Sequence, residues 1–238
     1  MNQDDQERSE SGNPIYRHEP SQKGFVPAAG DSEAIQQIEQ HIEMHIGKPS
    51  MVWHEIVSHL VHIDIHMVSP TPERNYYTLV TSGMSSQPMK TPEGAEAFRY
   101  AELMICLPPN WPLTQADFQD ERNYWPLRWL KVLARLPHEY DTWIWASHTV
   151  PNGDPPKPFA PNTRLSGVIL MQPSLMFSDA FIELKINDEK TVYFLSVMPL
   201  YREEMDFKLK NSAGSLLNDL AEAGVTEVLD IDRPNVVE

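Results

Sequence analysis

The residue types best suited to chemistry cluster at 61–68, where His62, Asp64 and His66 alternate with Val61, Ile63, Ile65 and Met67. Successive side chains of a strand point to opposite faces, so the imidazoles and the carboxylate share one face and the apolar set the other. Imidazole and carboxylate are metal ligands and proton carriers. Same-face neighbours on a strand sit about 7 Å apart, so one ion bridges two of them far more readily than three. Two readings follow. One is a metal-dependent hydrolase using His62, Asp64 and His66. The other is a half-solvated strand face, with Asp64 fixing a neighbouring loop by hydrogen bonds.

Other reactive groups give weaker patterns. His41 and His45 stand one helical turn apart, yet Ile42-Glu43-Met44 between them is not the zinc-protease spacing. A solvated helix face is the expectation there. Glu203 and Glu204, beside Tyr201, are adjacent in sequence and do not face each other on a helix, which favours an acidic patch over an acid/base pair. Ser82-Gly83-Met84-Ser85 lacks the flanking glycines of a nucleophile elbow, and the glycines are too scattered for a phosphate-cradling loop. Cys106, the single cysteine, lies inside an apolar run and is expected to be a buried, inert thiol. No cofactor and no metal are expected.

The balance of 34 acidic against 19 basic side chains, a formal charge of −15, argues against a nucleic-acid binder. It favours solubility and fast approach to a basic protein. The first residues carry neither a basic nor an apolar leader pattern, and no apolar run approaches the roughly 20 residues of a membrane span. A cytoplasmic location is the expectation.

The elements that must position these groups read as follows. Residues 1–30 are polar, without an apolar period, and are expected to be a flexible tail pinned near Phe25-Val26-Pro27. Asp31 or Ser32 caps a helix with Ile35, Ile38, Ile42 and Ile46 on one face, stopped by Gly47 and Pro49. Strands are expected at 51–57, 61–68, 76–81, 101–107, 165–171, 180–186 and 191–200, the last of them central. The second and third form one hairpin and the last two another. A helix at 124–136 buries Leu127, Leu130, Leu133 and Leu136, widened by Trp129 and Val132, and Pro137 closes it. Residues 148–162, with five prolines, form a stiff loop that is either a lid or a packed cover. Residues 201–209 are mixed, and 212–223 form a helix. Three helices and about seven strands, mostly joined as hairpins, predict an α+β fold: a mixed, mainly antiparallel sheet with packed helices. One domain over 31–230 and an acidic C-terminal tail at 231–238 complete the expected organisation.

Two neighbouring stretches organise this pattern: an apolar run that breaks at Ser82-Gly83, and another that breaks at Pro108-Pro109-Asn110. Thr78-Leu79-Val80-Thr81-Ser82-Gly83-Met84-Ser85 with Pro88-Met89, and Ala101-Glu102-Leu103 through Leu107-Pro108-Pro109-Asn110-Trp111-Pro112, resemble the suppressor-of-fused domain family. Phe159-Ala160-Pro161-Asn162-Thr163, the stretch 167–173 and Pro199-Leu200-Tyr201-Arg202-Glu203-Glu204-Met205 resemble it too, in the family's order. The similarity spans roughly 45–220. In animals the family name belongs to a two-part protein that restrains Gli-type transcription factors by clamping a peptide. The present chain resembles instead the single-domain bacterial members, which are thought to act as immunity proteins or antitoxins beside secreted or contact-delivered toxins.

The resemblance implies a non-enzymatic protein-binding domain that sequesters a partner, with a basic toxin as the expected partner and neither nucleic acid nor membrane involved. The expected contact residues are Ser82, Gly83, Met84, Met89, Trp111, Tyr201, Glu203, Glu204 and Asp206, together with the Pro-rich loop.

Overall fold

A computed structural model describes residues 7–19, 21–24, 27–28, 31–55, 58–173 and 178–237. An eight-stranded sheet forms its centre. The strands are β1 (Met51–Trp53), β2 (Asp64–Val68), β3 (Tyr77–Ser82), β4 (Ala101–Leu107), β5 (Thr149–Pro151), β6 (Gly167–Met171), β7 (Glu183–Lys185) and β8 (Thr191–Leu200). Their spatial order is β1-β2-β3-β4-β8-β6-β5, with β7 also paired to β8. All pairings are antiparallel except β4 with β8, which is parallel. The expected mixed, mainly antiparallel sheet is the one observed. Both expected hairpins are present, with Asp64 opposite Ser82 in the first and Lys185 opposite Thr191 in the second.

Helices cover both faces. On β4 and β8 the odd-numbered Leu103, Ile105, Leu195 and Val197 join one apolar cluster with Trp125, Leu130 and Leu133 of α2 (Glu121–Tyr140). The even-numbered Met104, Cys106, Val192 and Phe194 pack instead against Ile38 and Ile42 of α1 (Ser32–His45). Further along β8, Met198 and Leu200 meet Met205 of α3 (Arg202–Lys210), with Leu216 and Leu220 of α4 (Ala213–Glu222). Alternate side chains therefore serve different layers, and a strand buried on both faces reads as a continuous apolar run. Asp31 caps α1 through the Ala34 amide, as its position predicts.

Several boundaries differ from expectation. Strand β1 ends at Trp53, and Ile56 and Val57 lie outside the described residues. Helix α2 starts at Glu121 behind an Asp120 cap and passes through Pro137 to Tyr140. Pro137 does not close it, because buried Pro137 and His138 are held by packing, and His138 Nε2 lies 2.9 Å from Met84 O. Val132 is exposed, and the buried face turns instead through Trp125 and Ala134. Helix α3 shows no apolar period because two of its inward side chains, Glu204 and Lys208, are charged.

The ends of the chain are partly tied in. Phe25 and Val26 lie outside the described residues, but Pro27 bridges His59. The Ser11 amide donates to Leu209 O, and Lys23 Nζ donates to His138 O at 2.7 Å while pairing with Asp141 at 2.8 Å. Residues 231–237 are not a free tail: Arg233 is buried, and Val236 and Val237 pack on the α3–α4 cluster. Among the described residues no helix is long and apolar enough to cross a membrane.

Candidate functional site

One end of the sheet gathers most of the polar chemistry. Strand β3 finishes at Ser82, Gly83 turns with φ +106°, and Met84–Ser86 forms a short 3-10 turn. A Cβ on Gly83 would stand 1.8 Å from His62 O, so only glycine fits between the two backbones. Beneath this apex lies Glu102 of β4, which is fully buried. Its carboxylate accepts from Thr81 Oγ1 (2.7 Å), Gly83 N (2.9 Å), Ser85 N (3.0 Å) and Ser85 Oγ (2.6 Å). Burial pushes the Glu102 carboxyl up, and the ring of donors opposes that shift. Thr81 also accepts from the Leu103 amide, so its hydroxyl couples β3 to β4 twice. The Thr81–Ser85 stretch is thus a latch centred on one carboxylate.

The expected contact residues of this stretch are inside the fold. Ser82 and Met84 are fully buried and Met89 nearly so, and Trp111 donates from Nε1 to Asn123 O at 3.0 Å. At the apex only Gln87 and Pro88 are exposed, with Ser86 half-buried. The Pro-rich loop is pinned by its Phe159, which stacks on Trp125 at 4.7 Å and tilts against Trp129 at 5.0 Å, while residues 151, 153–155, 157–158 and 161–162 are exposed.

Tyr201 and Glu204 are also interior. Glu204 Oε2 accepts from the Tyr201 amide at the start of α3, and both its carboxylate oxygens bind Arg233 at 2.6 Å. The Tyr201 hydroxyl closes the knot by donating to Arg233 O. The expectation of an acidic surface patch at Glu203-Glu204 therefore needs correcting, because a carboxylate sealed in a bidentate arginine pair offers nothing to solvent. Glu203 and Asp206 remain exposed on α3.

The 61–68 face also departs from a half-solvated strand. All of β2 is buried, Asp64 and His66 included. His66 Nε2 lies 2.9 Å from Ser82 Oγ, and burial pushes the ring well below the usual imidazole range. His66 is therefore engaged by Ser82 and makes no hydrogen bond with His62 or Asp64. His62 and Asp64 do come together, with His62 Nε2 2.9 Å from Asp64 Oδ1. Asp64 Oδ1 also accepts from the Glu55 amide at 3.2 Å, and His54 Nδ1 lies 2.9 Å from Oδ2. Asp64 thus holds His54, Glu55 and His62 of the chain that precedes it, as one reading of the sequence held.

The same loop bears groups with no recognisable spacing in the sequence. Ser58 Oγ lies 2.7 Å from His62 Nδ1 and 3.0 Å from Glu55 Oε2, which also binds Arg135 of α2. Lys131 stands 3.7 Å from Glu55 Oε1. Among the described residues no group of three or more His, Cys, Asp or Glu side chains is arranged to hold a metal ion.

The remaining candidates are core pieces. His41 is buried between Phe181 and Phe194, at 5.4 and 5.2 Å, with Nε2 3.1 Å from Phe181 O, so it does not lie on a solvated face. Cys106 is buried and its thiol is pushed up by desolvation.

Comparison with known proteins places this geometry. Residues 59–234 match the family described as Suppressor of fused protein (SUFU). No curated protein matches the chain. Among solved structures, a SUFU homologue from Neisseria gonorrhoeae is similar at 17% identity and a TM-score of 0.60, covering 87% of this chain and 97% of that one. A chain of the Sufu–Fu complex is similar at 14% identity and 0.58, covering 89% and 93%. Drosophila Suppressor of Fused is similar at 15% identity and 0.57 over 90% of this chain, which spans 52% of the fly protein. With three quarters of its length under one family's pattern, the chain belongs to the suppressor of fused family.

Proposed function

We propose that this chain is a protein-binding domain that holds a protein partner by surface complementarity, acting as an immunity protein or antitoxin toward a basic toxin. The observation that carries the reading is family membership over 59–234, together with a fold shared with a chain of the Sufu–Fu complex. The charge of −15 supports a basic partner, because net charge of one sign accelerates encounter with the other. The conspicuous motif residues are interior, so recognition falls to the groups they hold in place. These are Glu203 and Asp206 on α3, Gln87-Pro88 at the β3 apex and the 153–155 tip. The cytoplasm of a bacterium is the compartment this role requires.

The test is a pull-down from the native host compared with the product of the adjacent gene, followed by association kinetics with the captured protein. Glu203→Lys with Asp206→Lys slows association and flattens its dependence on salt, since rim charges act mainly on the on-rate. Unchanged kinetics and salt slope would remove α3 from the binding surface. A partner that is neither basic nor toxic would leave protein binding standing and end the antitoxin reading.

A further inference from the structure

We propose that Ser58, His62 and Asp64 form an acyl-transfer site, with Ser58 as nucleophile, His62 as general base and Asp64 as positioning residue, acting on carboxylic esters presented at the surface. The proposal stands on geometry alone and does not depend on partner binding. A nucleophile–base contact of 2.7 Å and a base–carboxylate contact of 2.9 Å meet the spatial requirements of such a relay. Asp64 is nearly buried and is held by the Glu55 amide and by His54, so its position is set independently of His62. With its Nε2 proton directed at Asp64, neutral His62 presents the Nδ1 lone pair to the Ser58 hydroxyl. The relay runs through the opposite ring nitrogens from the usual Ser–His–Asp order, and roles rather than atom labels define such sites.

Glu55 completes the surroundings. Its Oε2 accepts from the Ile63 amide and Arg135 and lies 3.0 Å from Ser58 Oγ, so the single Ser58 proton turns from this oxygen to His62 Nδ1 in the reactive arrangement. Lys131 adds a second cation at Oε1. The group next to Ser58 is therefore the Glu55 carboxylate, its charge offset by Arg135 and Lys131 on its other contacts. Through Asp64 His62 is linked to His54, and through Ser58 to Glu55 with Arg135 and Lys131 of α2.

In the first step Ser58 Oγ bonds to the ester carbonyl carbon and its proton passes to His62 Nδ1. The tetrahedral adduct then breaks the bond to the alkoxy oxygen, which leaves as the alcohol with that proton. Water repeats the sequence on the acyl-serine, releasing the carboxylic acid and restoring Ser58. Because His62 is part-exposed and His54 largely so, the site is open to esters carried on a surface.

A fluorophosphonate probe tests this on the full chain: Ser58 Oγ bonds to phosphorus, fluoride leaves and His62 takes the proton. The expected result is a single adduct mapped to Ser58 by peptide mass spectrometry, absent in Ser58→Ala. In His62→Ala it forms about 100-fold more slowly, a common contribution of a general base. Asp64→Asn retains labelling but with a displaced pH profile, which a purely structural role would not move. Circular dichroism of each variant separates loss of chemistry from loss of fold. Absence of an adduct at Ser58 in the folded protein, or an equal rate in folded His62→Ala, overturns the proposal.

Discussion

Two carboxylate centres lie side by side at one end of the sheet and are built on opposite plans. Glu102 is wholly buried and ringed by hydroxyls and amides that do not titrate near neutral pH. Asp64 and Glu55 are met by partly exposed side chains, and these partners are imidazoles, a guanidinium and an ammonium. The first arrangement has nothing left to exchange with a ligand, so it can only hold. The second contains bases and a hydroxyl in contact with solvent, so it can respond. Rigidity in the one is what allows precise placement in the other, since Gly83 of the latch packs directly on His62 O.

The sharpest way to break this contrast is to remove each carboxylate in turn. Glu102→Ala strands two amides and two hydroxyls in the interior and should cost about 3–5 kcal/mol, read as the shift in a denaturant midpoint. A comparable loss is expected from Arg233→Met, about 3–5 kcal/mol, because Glu204 would be left buried and unpaired. Gly83→Ala should follow at about 2–4 kcal/mol, combining strain at positive φ with the clash against His62 O.

Acid should act next. Burial holds His41, His66, His138 and His148 below the ordinary imidazole value, His148 at about 4. The unfolded chain therefore binds protons that the folded chain refuses. The stability these groups contribute is complete above about pH 6.5 and is lost as pH falls toward their folded values. A melting temperature that declines between pH 6.5 and 4 checks this, and His148→Gln should flatten the decline. The smallest effect belongs to Asp64→Asn, about 1 kcal/mol, because solvent reaches the groups it releases. If Asp64→Asn proved as costly as Glu102→Ala, the two centres would not differ in kind.

Much of this architecture was legible from alternation and turn chemistry. The β2–β3 hairpin, the interior place of β8 and the Asp31 cap all follow from local patterns. Helix α3 was not legible, because its inward face uses Glu204 and Lys208 where a period-reading expects apolar groups. The contact residues were misjudged for a related reason. Met84 and Trp111 beside turns suggested exposed anchors, whereas the turns fold inward over Glu102 and α2. Of the His62-Asp64-His66 pattern, the first pair is brought together and the third is diverted to Ser82. Ser58 and Glu55 gave no signal, since a loop that doubles back on a strand leaves no fixed spacing. Buried charge pairs such as Glu204 with Arg233, 29 residues apart, are equally silent in sequence.

Hydrogen exchange at single amides tests the contrast most directly. The Gly83 and Ser85 amides, both bound to Glu102, are predicted to exchange only through global unfolding, while the Glu55 amide on Asp64 opens locally and exchanges orders of magnitude sooner. Equal exchange at the three amides would contradict the account.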